Sequence, residues 1–206
     1  MPALAKLLLA SSSAGKLREF QAITEEFASP LRIEVERVPD FGELPTLEEN
    51  APTFAENALG KALHYSRLRE GMVFADDSGL VVPALGGSPG VHSARYAGPD
   101  ATNAQRNEKL LRELRGRPAV DRAAHFVCAI ALASRGGTLA VVTARADGKL
   151  LEAPRGTGGF GYDPVFYFPA LAKTFAELSA MQKNQCSHRG KAFGKLLDFF
   201  SAELRG

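Results

Sequence analysis

The sequence predicts an α/β fold built on a mixed β-sheet flanked by helices. In the first half of the chain, short apolar runs alternate with stretches whose apolar residues recur at helical spacing, which is typical of α/β folds. In the second half, long apolar runs at residues 122–134 and 138–146 are joined by an Arg-Gly-Gly tripeptide, which indicates an antiparallel hairpin. A sheet that contains both arrangements is mixed rather than purely parallel.

The individual elements follow from the same periodicities. Strands before the hairpin are predicted at residues 7–10, 32–38 and 72–75. Helices are predicted at residues 15–27, from about residue 52, at 102–114 and at about 190–204. In the second helix, Thr53 and Glu56 have the spacing of a capping box. The Gly- and Pro-rich residues 83–100 are predicted to form an ordered loop.

Length, charge and cysteine content limit the possible functions. The 206 residues are predicted to form one domain or one two-lobed unit, because neither a repeat nor a linker interrupts them. The formal net charge of +2 gives no global sign of a nucleic-acid-binding protein. Cys128 and Cys186 lack zinc-site spacing, which favours reduced thiols in a cytoplasmic protein. The apolar run at residues 7–10 is too short for a signal peptide or a membrane span.

The segment SSSAGK, residues 11–16, lies between the first predicted strand and the first predicted helix. A helix N-terminus offers unpaired N–H groups, and the serine hydroxyls and Lys16 would add donors, so the segment suits a phosphate group. It is not a Walker A loop, because Ala10 stands where that motif needs glycine and Leu17 where it needs Ser or Thr. Taken alone, the segment fits a polar loop with a helix N-cap at least as well.

Two acidic pairs are candidates for a metal site. Asp76 and Asp77 follow an apolar strand, where mutual repulsion and burial are unfavourable for two carboxylates. A divalent cation would relieve that conflict, and carboxylates together with substrate phosphates are the usual magnesium ligands. The alternative is an Asx-turn that ends the strand, since Asp, Ser and Gly favour turns. Glu48 and Glu49 form the second pair, which by itself is typical of a solvated loop.

Two later segments could hold a planar ligand. In FGYDP, residues 160–164, the glycine lets an aromatic ring approach a ligand and Asp163 could accept hydrogen bonds. The alternative is a turn with Phe160 and Tyr162 packed into the core. The segment KNQCSHRGKAF, residues 183–193, concentrates cations near the start of the last helix, where they oppose the helix dipole unless a ligand compensates them. The alternative there is a basic surface loop.

In combination, these segments are the parts of a nucleoside triphosphate site, and they resemble the inosine triphosphate pyrophosphatase family. The resemblance follows the family's order over nearly the whole chain, in LLLASSSAGKLREF, LEENAPTFAENALGKA, FADDSGLVVPALGGSPGVHSARYAG, GTGGFGYDPVF and TFAELSAMQKNQCSHRGKA. It implies a single two-lobed catalytic domain over residues 1–206, with a long central mixed sheet. It also implies Mg²⁺-dependent hydrolysis of ITP, dITP and XTP to the nucleoside monophosphate and pyrophosphate, by attack of water at the α-phosphorus.

The resemblance implies roles for individual residues. Asp77 would be the proton acceptor and, with Glu49, a Mg²⁺ ligand, while Asp76 and Ser187 would lie behind the residues that contact the substrate. Phe160 would stack on the base. The substrate-binding residues implied by the family pattern are Ser11, Ser12, Ser13, Ala14, Gly15, Lys16, Lys61, Ser78, Arg95, Phe160, Gly161, Tyr162, Asp163, Lys183, His188 and Arg189.

The choice of base would depend on the O6 position of the purine. Hypoxanthine and xanthine carry an acceptor there, which donors on His188 and Arg189 would suit, whereas the amino group of adenine would stay unpaired. Guanine also carries O6, so its exclusion requires rejection of the 2-amino group. Two positions depart from the family pattern, Ser13 where Asn is usual and Gln182 where Glu is usual. They are expected to affect affinity and fine specificity more than the reaction.

Two alternatives remain open at this point. The Maf-type nucleotide pyrophosphatases share the fold and begin with a similar Leu-Ala-Ser-x-Ser loop. They continue with Pro-Arg-Arg where this chain has Ala14-Gly15-Lys16, and they lack the Ser-His-Arg-Gly segment. A nucleotide-sensing module would bind without turnover and would not need Asp77 beside a metal. The family resemblance further implies a homodimer in the cytoplasm, with no nucleic-acid or membrane partner.

Overall fold

The computed structural model describes residues 4–26 and 32–203. The strands in this part of the chain are β1 Leu4–Leu9, β2 Arg32–Arg37, β3 Met72–Val81, β4 Ala123–Ser134, β5 Gly137–Leu150, β6 Phe166–Phe168 and β7 Lys173–Thr174. The α-helices are α1 Ala14–Glu26, α2 Phe54–Leu68, α3 Asn103–Glu113, α4 Ala180–Cys186 and α5 His188–Glu203. Short 3₁₀ turns at Pro83–Leu85 and Gly90–Arg95 give the predicted loop its order.

All seven strands form one mixed sheet in the order β2-β1-β3-β4-β5-β6-β7. β1 pairs in parallel with β2 and with β3, and every pair from β3 onwards is antiparallel. The predicted α/β class, mixed sheet and β4–β5 hairpin are therefore confirmed. The hairpin tip needs Gly136 with φ 74°, a left-handed conformation that glycine adopts without strain.

The predicted end of the third strand is wrong. Residues 75–79 do not form an Asx-turn after the strand, because β3 continues through them to Val81. β4 lies alongside and pairs with these residues in register, Asp76 with Ile130 and Gly79 with Val127. The sheet hydrogen bonds of β4 therefore override the turn preference of Asp, Ser and Gly.

Other boundaries differ by small amounts. α5 begins at His188 rather than Gly190, and α4, β6 and β7 were not predicted because they are short. Thr53 caps α2, since its hydroxyl accepts from Glu56 N over 3.2 Å. The predicted capping box is incomplete, because the Glu56 carboxylate accepts from the Thr53 hydroxyl rather than from Thr53 N. The predicted helix ends at Phe27 and Leu204 lie outside the described residues.

The core lies on both faces of the sheet, since side chains alternate along a strand. On one face, Leu7, Leu9 and Phe74 pack against Phe20 of α1 and Phe193 of α5. On the opposite face, a second cluster of buried residues packs against α2. The central strand β3 is therefore covered on both sides, and the side chains of its polar segment must find partners on one helix layer or the other.

Candidate functional site

Asp76 and Asp77 have separate environments because successive strand residues face opposite sides of the sheet. Asp76 is completely buried on the α1/α5 side, where Lys16 Nζ lies 2.9 Å and Arg189 Nε 3.5 Å from its carboxylate oxygens. Asp77 is buried on the α2 side, where Asn57 Nδ2 donates to its Oδ2 over 3.1 Å. The predicted repulsion between adjacent carboxylates is thus relieved by strand geometry and by separate partners.

The two carboxylates also differ in pKa direction. Burial alone would raise the pKa of Asp76, but the cations Lys16, Arg189 and Lys61 outweigh it and hold that pKa well below its ordinary value. For Asp77, burial prevails over the attraction of Lys61 and Lys16, so its pKa is raised. The fold therefore favours the charged form of Asp76, whereas it makes protonation of Asp77 easier.

Lys61 connects the loop that contains Glu48 and Glu49 to strand β3. It lies on α2, and its buried ammonium is 2.7 Å from Glu49 Oε2 and donates to the Asp76 carbonyl over 2.8 Å. Burial lowers the pKa of Lys61, but the carboxylates of Asp76, Glu49 and Asp77 outweigh that effect and raise it. The backbone carbonyl of Glu49 accepts a hydrogen bond from Arg95 Nη2 over 3.0 Å. No cluster of three metal-ligating side chains is present in residues 4–26 and 32–203.

The opening segment forms a capped helix start that points Lys16 into this region. Ser13 Oγ accepts a hydrogen bond from Lys16 N over 3.3 Å, just before α1 begins. Ser11 Oγ accepts from Ser13 N over 3.2 Å. Ser12 is exposed, and its carbonyl accepts from Arg37. Ala14 is exposed as well.

Phe160 of the FGYDP segment lies against Gly15 of the SSSAGK segment. A Cβ atom added to Gly15 would lie only 3.2 Å from the Phe160 ring, so the absence of a side chain at residue 15 allows this contact. The same ring has Lys183 Nζ at 4.9 Å and Arg189 Cζ at 5.4 Å from its centroid, which are cation–π distances. Asp163 Oδ2 accepts from Phe160 N over 2.8 Å and shapes the turn.

Buried ion pairs hold the cations of α4 and α5. Lys183 Nζ lies 2.6 Å from Asp163 Oδ2 and 2.7 Å from Glu19 Oε1. Arg189 pairs with Glu19 and donates from Nη2 to Ser78 Oγ over 2.9 Å. Burial lowers the pKa of Lys183, but the carboxylates of Asp163 and Glu19 outweigh it and raise that pKa. These cations therefore remain charged although they are buried.

Three predicted site residues use their side chains elsewhere. Tyr162 is buried in the core, and its hydroxyl donates to the Ser93 carbonyl over 2.9 Å. Ser187 caps α5, since its Oγ accepts from Gly190 N over 3.1 Å. The His188 ring stacks on Phe126 at 4.6 Å between centroids, and its buried Nδ1 has no hydrogen-bond partner among the residues that the structure describes. Burial, Arg189 and Lys183 lower the pKa of His188 well below its ordinary value, so the ring is neutral.

Sequence reasoning missed Glu19 and Asn57. Glu19 lies one helical turn after Lys16 on α1, and its carboxylate joins Lys183 to Arg189. Asn57 lies one turn before Lys61 on the inner face of α2 and contacts Asp77. Their spacing was the available signal. Glu19 is three residues after Lys16 and Asn57 is four residues before Lys61, and residues at these spacings share a helix face.

The fold and the site define an α/β protein whose charged cluster is assembled from both faces of one central strand. The Ham1 family model matches residues 7–199, and the chain belongs to the Ham1 family. The resemblance drawn from the sequence is therefore confirmed. No helix in the described part of the chain has the length and apolar character needed to cross a membrane.

Relatives and solved structures agree with this assignment. The chain is 53% identical over 191 residues to a dITP/XTP pyrophosphatase of Geobacillus kaustophilus, covering 93% of this chain and 92% of the relative. It is 47% identical to a dITP/XTP pyrophosphatase of Thermosynechococcus vestitus, covering 97% of each chain. The structure of the Staphylococcus aureus Ham1 protein superposes with a TM-score of 0.83 at 37% identity, covering 96% of this chain and 99% of that one.

Proposed function

We propose that this protein hydrolyses ITP, dITP and XTP to the corresponding nucleoside monophosphate and pyrophosphate. The observation that carries the proposal is the contact of Phe160 with Gly15, which joins an aromatic surface for a base to a helix N-terminus for phosphates. Asp77 lies on β3, which pairs with the strand that precedes α1, and the pKa of its carboxyl group is raised. Membership of the Ham1 family and the names of the relatives support the same activity.

The triphosphate would bind beside Lys16 of α1 and Lys61 of α2, whose ammonium groups both contact Asp76. Lys16 and Lys61 each lie within 3 Å of a carboxylate oxygen, on Asp76 and Glu49 respectively. Bound phosphate would share these ammonium groups with the carboxylates, and the free N–H groups at the start of α1 would add donors. Ser78, with its hydroxyl between Asp76 and Arg189, lies at the strand position beside Asp77.

Glu49 and Asp77 are the residues that would hold Mg²⁺. The charges of Glu49 and Asp77 both raise the pKa of Lys61, so these two carboxylates already stabilise a positive charge between them and α2. Two carboxylates completed by substrate phosphates form a typical Mg²⁺ donor set, which does not require a cage of three protein ligands. When bound, Mg²⁺ would supply charge neutralisation for the triphosphate and for the leaving pyrophosphate.

Asp77 would act as the proton acceptor. As the oxygen of water bonds to the α-phosphorus, Asp77 would take the proton of that water while the bond from the α-phosphorus to the bridging oxygen breaks. A raised pKa suits this role, because a general base works best when its pKa approaches the working pH. Asn57 Nδ2 and Ser78 N each donate to one oxygen of Asp77, over 3.1 Å and 3.0 Å, and would keep the carboxylate oriented.

The base would stack on Phe160 beside the cations of α4 and α5. Arg189 and Lys183 are held by Glu19 and Asp163, so their donors have fixed directions. Such donors favour the O6 acceptor of hypoxanthine and xanthine over the amino group of adenine. The side chain of Tyr162 is committed to the core, so contacts of Gly161 and Tyr162 with substrate would come from their main chain.

We further propose that residues 1–206 form one two-lobed catalytic domain that acts as a homodimer in the cytoplasm. One family model matches residues 7–199, which supports a single unit. Cys128 and Cys186 are free thiols, and Cys128 is buried in the core, which fits a reducing compartment. The homodimer rests on the family resemblance.

A panel of nucleoside triphosphates with Mg²⁺ tests the proposed function. Release of pyrophosphate and monophosphate from ITP, dITP and XTP, with ATP turned over poorly, is the expected result. Activity confined to methylated or pyrimidine nucleotides would instead identify a Maf-type enzyme. Tight binding without turnover would identify a nucleotide-sensing module.

A further inference from the structure

Asn57 makes three hydrogen bonds that connect two parts of the site. It lies in the first turn of α2 and is 4% exposed. Its Nδ2 donates to Asp77 Oδ2 over 3.1 Å and to the Ala51 carbonyl over 3.3 Å. Its Oδ1 accepts from Ala51 N over 3.0 Å. Nδ2 therefore donates two hydrogen bonds and Oδ1 accepts one.

The hydrogen bonds of Asn57 connect the loop that contains Glu49 to Asp77 on β3. Ala51 lies two residues after Glu49, in a loop that has no helix or strand of its own. By pairing with both the N–H and the carbonyl of Ala51, the Asn57 amide fixes the backbone of this loop against α2, in the way that a neighbouring strand would. The remaining N–H of the same amide orients Asp77 on β3.

We propose that Asn57 is a positioning residue that sets the separation of Glu49 and Asp77 and fixes the plane of the Asp77 carboxylate. The inference rests on the proposed function, since it concerns the two carboxylates that would hold Mg²⁺. Only an amide on a short side chain meets the requirement for two donors and one acceptor. Aspartate lacks the donors, serine lacks one of them, and glutamine is longer by one methylene.

Kinetics of the Asn57→Ala variant test this role. Partners that orient metal ligands contribute about 10–100-fold to activity or metal affinity, so kcat with ITP is expected to fall by roughly that factor while KM changes little. Affinity for Mn²⁺ is measured separately by electron paramagnetic resonance, with the non-hydrolysable α,β-imido analogue of ITP present. It is expected to fall, while binding of the analogue in EDTA stays close to wild type.

Asn184→Ala is the matched control. Asn184 is also a buried helical asparagine, 8% exposed, but its side chain donates to Glu26 on α1 rather than to the site. This variant is expected to retain kcat and Mn²⁺ affinity. Equal losses in Asn184→Ala and Asn57→Ala would mean general destabilisation and would overturn the proposal.

Asn57→Asp decides the matter if Asn57→Ala fails to fold. It keeps the volume of the side chain and the acceptor for Ala51 N, but it removes the donors to Asp77 and to the Ala51 carbonyl and adds a negative charge beside Asp77. A folded Asn57→Asp or Asn57→Ala protein with wild-type kcat would overturn the positioning role. Absence of pyrophosphate release by the wild-type protein would instead refute the proposed function, so the two failures are distinguishable.

Discussion

The ammonium of Lys16, in the first turn of α1, lies 2.9 Å from a carboxylate oxygen of Asp76 in the middle of β3. This contact joins the segments SSSAGK and ADDSG, which lie about sixty residues apart in the sequence. Because Asp77 faces the other side of the sheet, the adjacent aspartates have opposite pKa shifts. We therefore expect substitution of the two aspartates to have different consequences.

Asp77→Asn is expected to abolish catalysis while preserving the fold. A general base contributes roughly 10²–10⁴-fold to a rate, so pyrophosphate release should fall by at least that factor. The raised pKa of Asp77 means that the folded protein destabilises its charged form, so a neutral amide of the same size should leave Tm unchanged or higher. Near-wild-type turnover in this variant would exclude Asp77 as the base.

Asp76→Asn is expected to destabilise the protein. The lowered pKa of Asp76 shows that the fold favours its charged form. The amide would leave Lys16 without its buried counter-charge, and it would leave Arg189 with Glu19 alone. Breaking such a pair by removing one partner costs about 3–5 kcal/mol. Urea denaturation of the two variants side by side measures the difference. A stability of Asp76→Asn equal to that of Asp77→Asn would contradict the opposite pKa shifts.

Arg189→Ala is expected to weaken both base selection and the fold. The sequence alone suggests a KM effect for ITP much larger than any stability effect. Because Arg189 is buried against Glu19, Asp76 and Ser78, its loss should also cost about 3–5 kcal/mol. The checks are the ratio of kcat/KM for ITP to that for ATP, measured below the Tm of the variant, and urea denaturation. An unchanged ratio would remove Arg189 from base reading.

His188 is expected to make stability depend on pH. Its pKa lies well below the ordinary 6.5 in the folded protein, so only the unfolded chain binds this proton as the pH falls below that value. Stability is therefore complete above the unfolded pKa and declines below it, by at most about 1.4 kcal/mol per pH unit. In a comparison of Tm at neutral and mildly acidic pH, His188→Gln should lose less stability than wild type. An identical decline in both proteins would show that His188 is not the cause.

Gly190 is expected to be irreplaceable in the junction between α4 and α5. A Cβ atom there would lie 1.7 Å from the Asn184 carbonyl oxygen, so Gly190→Ala must displace the start of α5 and with it Arg189. Overpacking of this kind costs about 1–3 kcal/mol. Gly194→Ala on the same helix is the control, because within residues 4–26 and 32–203 its added Cβ meets nothing within 4 Å beyond the adjoining backbone of its own helix. Equal Tm values for the two variants would contradict the close contact.

The positions that depart from the family pattern are compatible with the structure. Ser13 accepts from Lys16 N at the start of α1, and both Ser and Asn are good N-cap residues. Gln182 completes a capping box with Ser179 at the start of α4, a position that accepts Gln or Glu. Both substitutions therefore keep the local hydrogen bonding of the helix starts from which Lys16 and Lys183 extend.

The sequence predicted the elements more reliably than the contacts between them. Periodicity and the Arg-Gly-Gly turn were sufficient for the β4–β5 hairpin, because both depend on local residues. The continuation of β3 through Asp76 and Asp77 was not predictable locally, since it depends on pairing with a strand about fifty residues away. The roles of Glu19 and Asn57 were missed for the same reason. Their partners Arg189 and Asp77 become neighbours only when α1, α2 and α5 pack on the sheet.

Hydrolysis of ITP in H₂¹⁸O is the most direct test of the proposed reaction. Attack of water at the α-phosphorus, with Asp77 as proton acceptor, places the ¹⁸O label in the nucleoside monophosphate and none in the pyrophosphate. Mass spectrometry of both products after a single turnover reads the outcome. Label in the pyrophosphate, or release of inorganic phosphate and a nucleoside diphosphate, would contradict the assignment.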